Sequence, residues 1–564
     1  MKKFTTVIVI LIVFSTSSIG TSQNFKKSIE SSFEGDIFYV GGTGHGNYSK
    51  IQEAIDNSSD GDTVFVYDDS SPYFENIVID KSICLLGEDR NSTVIDGGGI
   101  DSVIEIHEDN VQIEGFTIKN CQYDLNEAGI NILSNSNIIK NNRFLNNQCS
   151  GIRLSDANLN LIENNFFKDN IGYHIFLRGK SDNNTIQNNF LTASNDWPYL
   201  CDGIWLSHSS YNTVYSNEIT ELKSTVGIAL DVACDHNIIN KNMIYNNQYY
   251  IATKSIQICN SDFNLISNNE ISSNNGGGIE MFFSQGNEII GNTIESLPKD
   301  GISLCDCRYD NIIKNNEISS TKVGIDLAVY SSKNIIESNN LTNNIYGIHL
   351  SGTDLLGFCP NNVISKNNIV KNEYGIYINK SNYYGYSNNS LIYYNNFVNN
   401  TQNAYDECSN MWNNSNFGNY WDDYCGTDDD GDGIGDTPYD LPCEHAIDYY
   451  PLMEPYGTTE LFLNFVKGLF KIGLIIINVG SYAAYNVQWK IIIEGGTIIL
   501  GRESSGYLPE PLLPKDESAI NSNIIIGFGK VQITVTASAD NAPEVSFFTP
   551  GFLFLLFLMI NPRG

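Results

Sequence analysis

One phrase recurs through the middle of the chain, N-x-[IV]-x-x-N-x-[ILF], and it restricts the fold more than any other feature. It reads NIIKNNRF at 137–144, NLIENNFF at 160–167, NTIQNNFL at 184–191, NTVYSNEI at 212–219 and NIINKNMI at 237–244. It continues as NLISNNEI, NEIIGNTI, NIIKNNEI, NIIESNNL and NVISKNNI, and ends as SLIYYNNF at 390–397, with starts 23 to 28 residues apart. A second phrase, G-I-x-[LMI], sits between copies, as at Gly129-Ile130, Gly151-Ile152, Gly203-Ile204, Gly278-Ile279 and Gly375-Ile376. A steady period in the twenties marks a solenoid. Alternation with period two inside each phrase means strand, not helix. Leucine-rich repeats share the period, but their leucine positions and helical return are missing. Three short strands per turn describe an all-β, right-handed parallel β-helix, with eleven regular rungs stacked about 4.8 Å apart.

The chain holds 74 Asn among its 564 residues. The repeat accounts for the excess. Asn tolerates left-handed backbone at the corners between strands and bonds to nearby backbone groups. Stacked amides can also bond from rung to rung. Such a solenoid needs capped ends, because open edges pair with other chains. YSKIQEAIDN (48–57) reads as a short amphipathic helix, with Ile51, Ala54 and Ile55 on one face, placed to plug the amino-terminal end. TVFVY, NIVI, SICLLG and the strands up to Ile118 then lead into the regular repeats.

The amino terminus has the order of a secretory signal: basic Met1-Lys2-Lys3, apolar Val7–Phe14, then small and polar residues. Residues 1–23 are set aside as a signal peptide, too short in its apolar part to span a membrane comfortably. The chain is therefore expected to be secreted or at the cell surface. Its formal charge is −33, from 65 acidic and 32 basic residues. That argues against nucleic acid as a partner, since phosphate binding needs clustered Lys and Arg. Twelve Cys lie between Cys84 and Cys443. Local disulfides, with Cys408, Cys425 and Cys443 the best candidates, and several inert buried thiols are expected. Nine Asn-x-Ser/Thr sequons permit glycosylation.

The order IQEAID, GDTVFVY, YFENIVIDKSICLLGE and then NxI-x-x-N repeats resembles the secreted NosD-like or CASH-domain β-helix proteins of archaeal type, and GNYWDDYCGTDDDGDGIGDTPYDLP (418–442) is similar to the segment closing the helix in that family. The resemblance covers residues 38–455. It implies a pectate-lyase-like solenoid and, through NosD itself, a metal-handling accessory role in copper enzyme maturation. Few, dispersed His and Met match no copper site.

Within the closing segment, Asp428, Asp430, Asp432 and Asp436 follow D-x-D-x-D-G-x-x-D, with the Ile434 carbonyl as a further donor. Alternate oxygens of this kind surround one hard cation, so a structural calcium ion is expected. Tyr439 stands where an EF-hand would place its Glu. After Pro442, Pro451 and Pro455 the Asn repeat stops. Residues 457–564 carry 7 basic and 8 acidic residues in about seven strand-like stretches, as expected of a small β-sandwich similar to the immunoglobulin-like modules of archaeal surface proteins. GFLFLLFLMI (551–560) is expected to form its last buried strand.

The variable position of G-I-x-L places Arg153, Trp205, Glu280, Ser303, Asp326, His349 and Tyr377 in one outward row. Trp205, His349 and Tyr377 are candidate glycan-binding residues, and Glu280 and Asp326 candidate catalytic carboxylates. Asp202, Asp231, His208 and His236 lie on nearby rungs. Three readings follow: a non-catalytic surface protein that binds a polysaccharide or cell-surface glycoprotein; a polysaccharide lyase or glycoside hydrolase; and a metal-handling accessory protein. For a lyase, no pairing of calcium and a basic residue on adjacent rungs is evident from the sequence.

Overall fold

The computed structural model describes residues 35–564 except 125, 195–198, 352–357, 381–386, 443–445, 458, 467–470, 481–483, 513–515, 541, 556 and 561–564. The signal-peptide expectation and Cys443 lie outside the described residues. Two compact units are present: residues up to 363 with 371–388, and residues 364–370 with 389–564.

The first unit is a parallel β-helix. Each rung has three strands, such as Ile138–Lys140, Arg143–Leu145 and Ser150–Ser155. Each strand pairs in parallel with its counterpart one repeat later. The Asn phrase thus spans two short strands and the G-I phrase occupies the third, longer one. Rungs begin before the Asn phrase does. Ile37–Val40, Thr63–Val66, Cys84–Gly87 and Gln112–Glu114 pair in that order and lead to Ile138–Lys140. These early rungs keep the apolar alternation but lack the Asn, so the count of eleven was too low. The isoleucines of the G-I phrase stack through the core. Ile130, Ile152, Ile204, Ile228, Ile279, Ile302 and Ile325 are all buried. Close approach dictates the glycine at such positions: a Cβ at Gly278 would collide with the Gly301 carbonyl oxygen, and one at Gly203 with the Gly227 carbonyl oxygen.

Asn plays two distinct roles. One set is buried and forms ladders. In one column, from Asn137 to Asn362, backbone N–H groups donate to the next Asn Oδ1 at 2.7–2.9 Å. In a second, from Asn142 to Asn339, the same bond measures 2.9–3.0 Å. Asn242 illustrates the completeness of the arrangement. Its Oδ1 accepts from both Asn217 nitrogens, and its Nδ2 donates to Asn269 Oδ1 and to the Val214 carbonyl. The other set precedes the ladder residues at positive φ, as at Asn141, Asn164, Asn188, Asn268 and Asn315. This exposed corner is where left-handed backbone is required.

The helix Ile51–Asn57 buries Ile51, Ala54 and Ile55, as expected. Glu75 accepts from the Ile51 and Gln52 N–H groups, and Lys81 donates to the Ile55 and Asp56 carbonyls, so both helix ends are satisfied by side chains from the first rungs. The disulfide among the described residues joins Cys121 to Cys149, with Cα atoms 6.3 Å apart, and not the candidates named above. Cys425 is an exposed free thiol. The pair went unrecognised because residues 28 apart become neighbours only once the rung length is known. Cys84, Cys234 and Cys307 are buried thiols, pushed up by desolvation to about 11, about 11 and about 12. They behave as apolar filler.

In the second unit the ladder runs Asn367, Asn395, Asn419 and then Asp448. Asn367 donates to Asn395 Oδ1, Asn395 to Asn419 Oδ1, and Asn419 N–H to Asp448 Oδ2 at 2.7 Å. A carboxylate ends the ladder because it accepts without needing to donate onward. Asp448 also accepts from the Trp421 indole at 3.0 Å, and Asp406 accepts from the Trp412 indole at 3.0 Å. Phe397 and Trp421 stack at 4.3 Å. Further on, Leu461–Val466, Gly473–Asn478 and Glu517–Asn521 form one antiparallel sheet, and a second runs Glu503–Tyr507, Gln488–Leu500, Ile526–Ala539, Ala542–Leu555 and Phe557–Ile560. One core of Leu474, Ile476, Ile491, Ile493, Ile533 and Val535 lies between them, consistent with a sandwich. The stretches NVQWKIII and TIILG are one strand, continued through a bulge at Gly495–Thr497. The terminal GFLFLLFLMI is not a single buried strand. Its first half pairs with its second as a hairpin, and Phe552, Phe554 and Leu555 are exposed while Leu553 is buried.

Replacing Asn242 by Ala orphans two buried donors of Asn217 and is expected to destabilise the protein by ~3 kcal/mol. Asn268→Ala at an exposed corner removes left-handed tolerance and a long exposed bond to Asn240 Oδ1, and is expected to lose ~1 kcal/mol. Urea unfolding of the two variants checks this order. Burial pushes the Asp448 carboxyl up to about 6. A carboxyl raised in the folded state stabilises at low pH, and that contribution is lost as pH rises through the folded value. Relative to Asp448→Asn, the native chain is therefore expected to lose up to ~3 kcal/mol between pH 4 and pH 7, read from paired unfolding curves.

Candidate functional site

The outward row expected from the G-I phrase exists as one continuous register. Glu105, Asn131, Arg153, Phe176 and Trp205 are successive partners. Ala229, Gln257, Glu280, Ser303, Asp326, His349 and Tyr377 follow. Beside it runs a second column, three residues earlier on each rung, that the sequence reading missed. Its partners include Tyr173 with Asp202, Val226 with Lys254 and then Gly277, and Tyr346 with Tyr374.

The middle of this double column is charged. Lys254 is 6% exposed, and its Nζ lies 3.2 Å from Glu280 Oε1 and 3.8 Å from Asp300 Oδ2. Gly277 is what admits it: a Cβ there would sit 2.5 Å from the Lys254 Cδ. On the next rungs His349 Nδ1 lies 2.9 Å from Asp326 Oδ1. Desolvation raises the Glu280 carboxyl, opposed by Lys254. Desolvation also raises Asp300, aided by Asp326 and opposed by Lys254. Two aromatic groups flank this centre. Tyr173 lies 4.7 Å from Phe176 and 5.3 Å from Trp205. Tyr346 stacks on Tyr374 at 5.1 Å and on His349 at 5.3 Å, with Tyr377 edge-on at 5.4 Å. Trp205 and Tyr377 are seven rungs apart, roughly 34 Å.

Other expected residues have structural duties. Asp202 is buried and accepts from Thr225 N–H at 2.6 Å and Val226 N–H at 3.0 Å, fixing the irregularity in the neighbouring strand. Arg153 is buried and donates to the Asn126 carbonyl and to Asn131. His236 stacks between Tyr211 and Phe263, and desolvation raises the Asp231 carboxyl, opposed by His208. His208 lies at positive φ beside Ser207. Lys254 stands two residues before Ile256, in the copy where Ser255 replaces the usual Gly. That lapse in the phrase was the available signal.

In the second unit, Asp428, Asp430 and Asp432 bring one carboxylate oxygen each within 4.8 Å of one another. The loop is held by Asp428 accepting from Gly431 and Gly433 N–H, and by Asp432 accepting from Ile434 N–H. Asp436 is not in the group of three; its carboxylate accepts from Asp429 N–H at 2.7 Å. Desolvation and the neighbouring carboxylates raise Asp432. Tyr485 donates to the Asp432 carbonyl.

The family model of the periplasmic copper-binding protein NosD matches residues 55–256, 193–326, 234–357 and 299–426, together more than half of the 564 residues. A curated relative, the cell surface glycoprotein of Methanothermus fervidus, is 28% identical over 284 residues, covering 44% of this chain and 44% of its own. The chain thus spans less than half of that relative. Among solved structures, the A-module of the Azotobacter vinelandii mannuronan C-5 epimerase AlgE6 is similar at 14% identity and TM-score 0.35, over 64% of this chain and 92% of that one. The tailspike protein of E. coli bacteriophage HK620 in complex with pentasaccharide is similar at 10% and 0.36, over 92% of each chain. XylC with xylose is similar at 12% and 0.40, over 86% and 100%. Scores this low carry nothing about function.

Copper does not fit the donors at hand. Among the described residues the group that brings three ligating side chains together is the Asp428 loop, whose hard oxygens suit calcium or magnesium. His174 and Cys201 touch, with Sγ 3.1 Å from Nε2. Both are fully buried, and burial drives the imidazole down to about 3 and the thiol up. Two such donors do not make a copper centre.

Proposed function

The chain belongs to the NosD family, and from that premise we propose that it works at the cell surface as a β-helix protein that holds glycan along its double column. The observation that carries this reading is the pairing of aromatic groups at Tyr173–Trp205 and Tyr346–Tyr377 around a charged centre. Sugar rings pack their apolar faces on aromatic side chains, and carboxylates accept from their hydroxyl groups. The partner is a polysaccharide or the glycan of a neighbouring surface glycoprotein. The cell surface glycoprotein of Methanothermus fervidus supports the location. Among the described residues, no helix is long and apolar enough to cross a membrane. The carboxyl-terminal sandwich, of immunoglobulin-like kind in this reading, serves as an appended surface module.

We assign calcium to the Asp428–Asp430–Asp432 loop, with the Ile434 carbonyl and Asp436 as the remaining candidates. Its role is structural, bracing the segment around Asp448. Three clustered carboxylates without a cation repel one another, and a hard divalent ion relieves that.

Two outcomes are expected. On a glycan array, Trp205→Ala and Tyr377→Ala each weaken the best ligand about tenfold, whereas Tyr211→Ala, off this face, does not. Binding that survives both substitutions sinks the reading. Millimolar calcium is expected to raise the thermal midpoint by several degrees, and Asp430→Asn with Asp432→Asn to abolish the rise. Equal shifts in both proteins remove calcium from this loop.

A further inference from the structure

The larger sheet of the carboxyl-terminal sandwich changes character along its length. Over residues 531–537 it alternates as a sheet with water on one side should. Val531, Ile533, Val535 and Ala537 are buried, and the polar Gln532, Thr534 and Thr536 take the outer positions. Toward one end the alternation stops. Leu500 pairs with Ile526, Gly527 with Leu555 and Phe528 with Phe554, so the ends of three strands meet there. Ile499 and Leu500, neighbours in the chain, are 64% and 53% exposed. Phe554 and Leu555, also neighbours, are 56% and 48% exposed, and Ile524 and Phe528 are exposed as well.

Large apolar side chains clustered in water mark an interaction surface. Their directions select the occupant. A second copy or a folded partner would cover one face of a sheet. Here consecutive residues are both exposed, so apolar groups leave the sheet end on more than one side. A medium that surrounds the end is needed to bury them all, and the acyl region of a lipid layer is such a medium. The length agrees. Residues 551–560 contain no polar or charged side chain and fold as a hairpin. Each arm, of about five residues, reaches roughly 17 Å at strand spacing. Half the hydrocarbon core of a bilayer is about 15 Å. The hairpin is long enough to enter one leaflet and too short to cross both.

The charges at the border agree too. Residues 497–501 and 524–529 carry none, and Arg502 and Lys530 follow directly. Both are exposed and have no ion-pair partner among the described residues. Of the nearby acids, Glu503 is paired with Lys490 at 2.8 Å, and Glu494 lies further along, opposite Gln532. With 7 basic and 8 acidic residues in 457–564, the chain's charge of −33 sits elsewhere and does not repel this end from an anionic surface.

We propose that this sheet end is a non-spanning lipid anchor, with Ile499, Leu500, Phe528, Phe554 and Leu555 in the acyl region and Arg502 and Lys530 against the lipid phosphates. It stands independently of the glycan-binding reading and gives the carboxyl-terminal module a task of its own, holding the protein to a membrane surface.

Sedimentation of the full chain with vesicles of phosphatidylcholine, alone or mixed with phosphatidylglycerol, tests the anchor. The native chain is expected to bind both, and the mixed vesicles more tightly. Phe554→Asp and Ile499→Asp each weaken binding at least about tenfold. Phe548→Asp, equally exposed on the same strand but opposite Thr534, leaves it within about twofold. Ile10→Asp, in the apolar amino-terminal run, also leaves it within about twofold. Arg502→Gln with Lys530→Gln, an exposed change that spares the fold, weakens binding to the mixed vesicles about tenfold and to phosphatidylcholine less than twofold. Failure of the native chain to sediment with either vesicle overturns the proposal. So does binding that is lost in Ile10→Asp, or that is unchanged in both the Phe554→Asp and the Arg502→Gln, Lys530→Gln proteins. A native dimer, seen by light scattering and dissociated by Phe554→Asp, would assign the patch to a second copy and overturn it as well.

Discussion

The structure depends on one self-complementary bond: a buried asparagine amide that accepts from the rung behind it and donates to the rung ahead. At each corner a strand must turn, and the turn leaves backbone N–H and C=O groups inside the wall without a sheet partner. A buried unpaired backbone group is destabilising by about 1–3 kcal/mol, and a solenoid repeats the problem at every rung. The Asn side chain solves it because it carries an acceptor and two donors in one plane. Asn269, for example, donates to Asn292 and to the Ile239 carbonyl while accepting from Asn242. No other uncharged side chain of that length offers the same set. Within the second unit, the ladder from Asn367 ends on Asp448, which accepts from Asn419 and from the Trp421 indole.

This explains which parts of the molecule could be read from the chain. The period, the strand content and the outward row were legible because they are local patterns of spacing. The row from Arg153 to Tyr377 is a direct consequence of counting from each Gly-Ile pair. The division of Asn into ladder and corner residues was not legible. Two adjacent Asn, such as Asn141 and Asn142, look alike in sequence, and only φ and burial separate them. The Cys121–Cys149 pair was missed because stacking, not sequence distance, brings the two together. The terminal apolar stretch was misread as one strand because a hydrophobic run does not say where it folds back on itself.

The candidate site shows the same division. Glu280, Asp326, Trp205, His349 and Tyr377 were identified by position. Lys254 and Asp300 were not, since they lie in a column outside the phrase used to count. Yet Lys254 is what turns a row of polar residues into a cluster. In a chain of charge −33, a lysine buried beneath two carboxylates, with Gly277 clearing its path, is a specific arrangement. It sets a buried charge cluster between the two aromatic groups of the same face. The acidic loop at Asp428, in the second unit, holds its carboxylates through backbone N–H groups within the loop.

Glycan is expected to meet the protein on the double column. Hydroxyl-radical footprinting of the full chain, with and without a bound polysaccharide, measures this residue by residue. Protection is expected at Trp205, Tyr346, Tyr374 and Tyr377, with Tyr211 and Phe263 unchanged. Protection at Tyr211 and Phe263, with the double column still reactive, would contradict it.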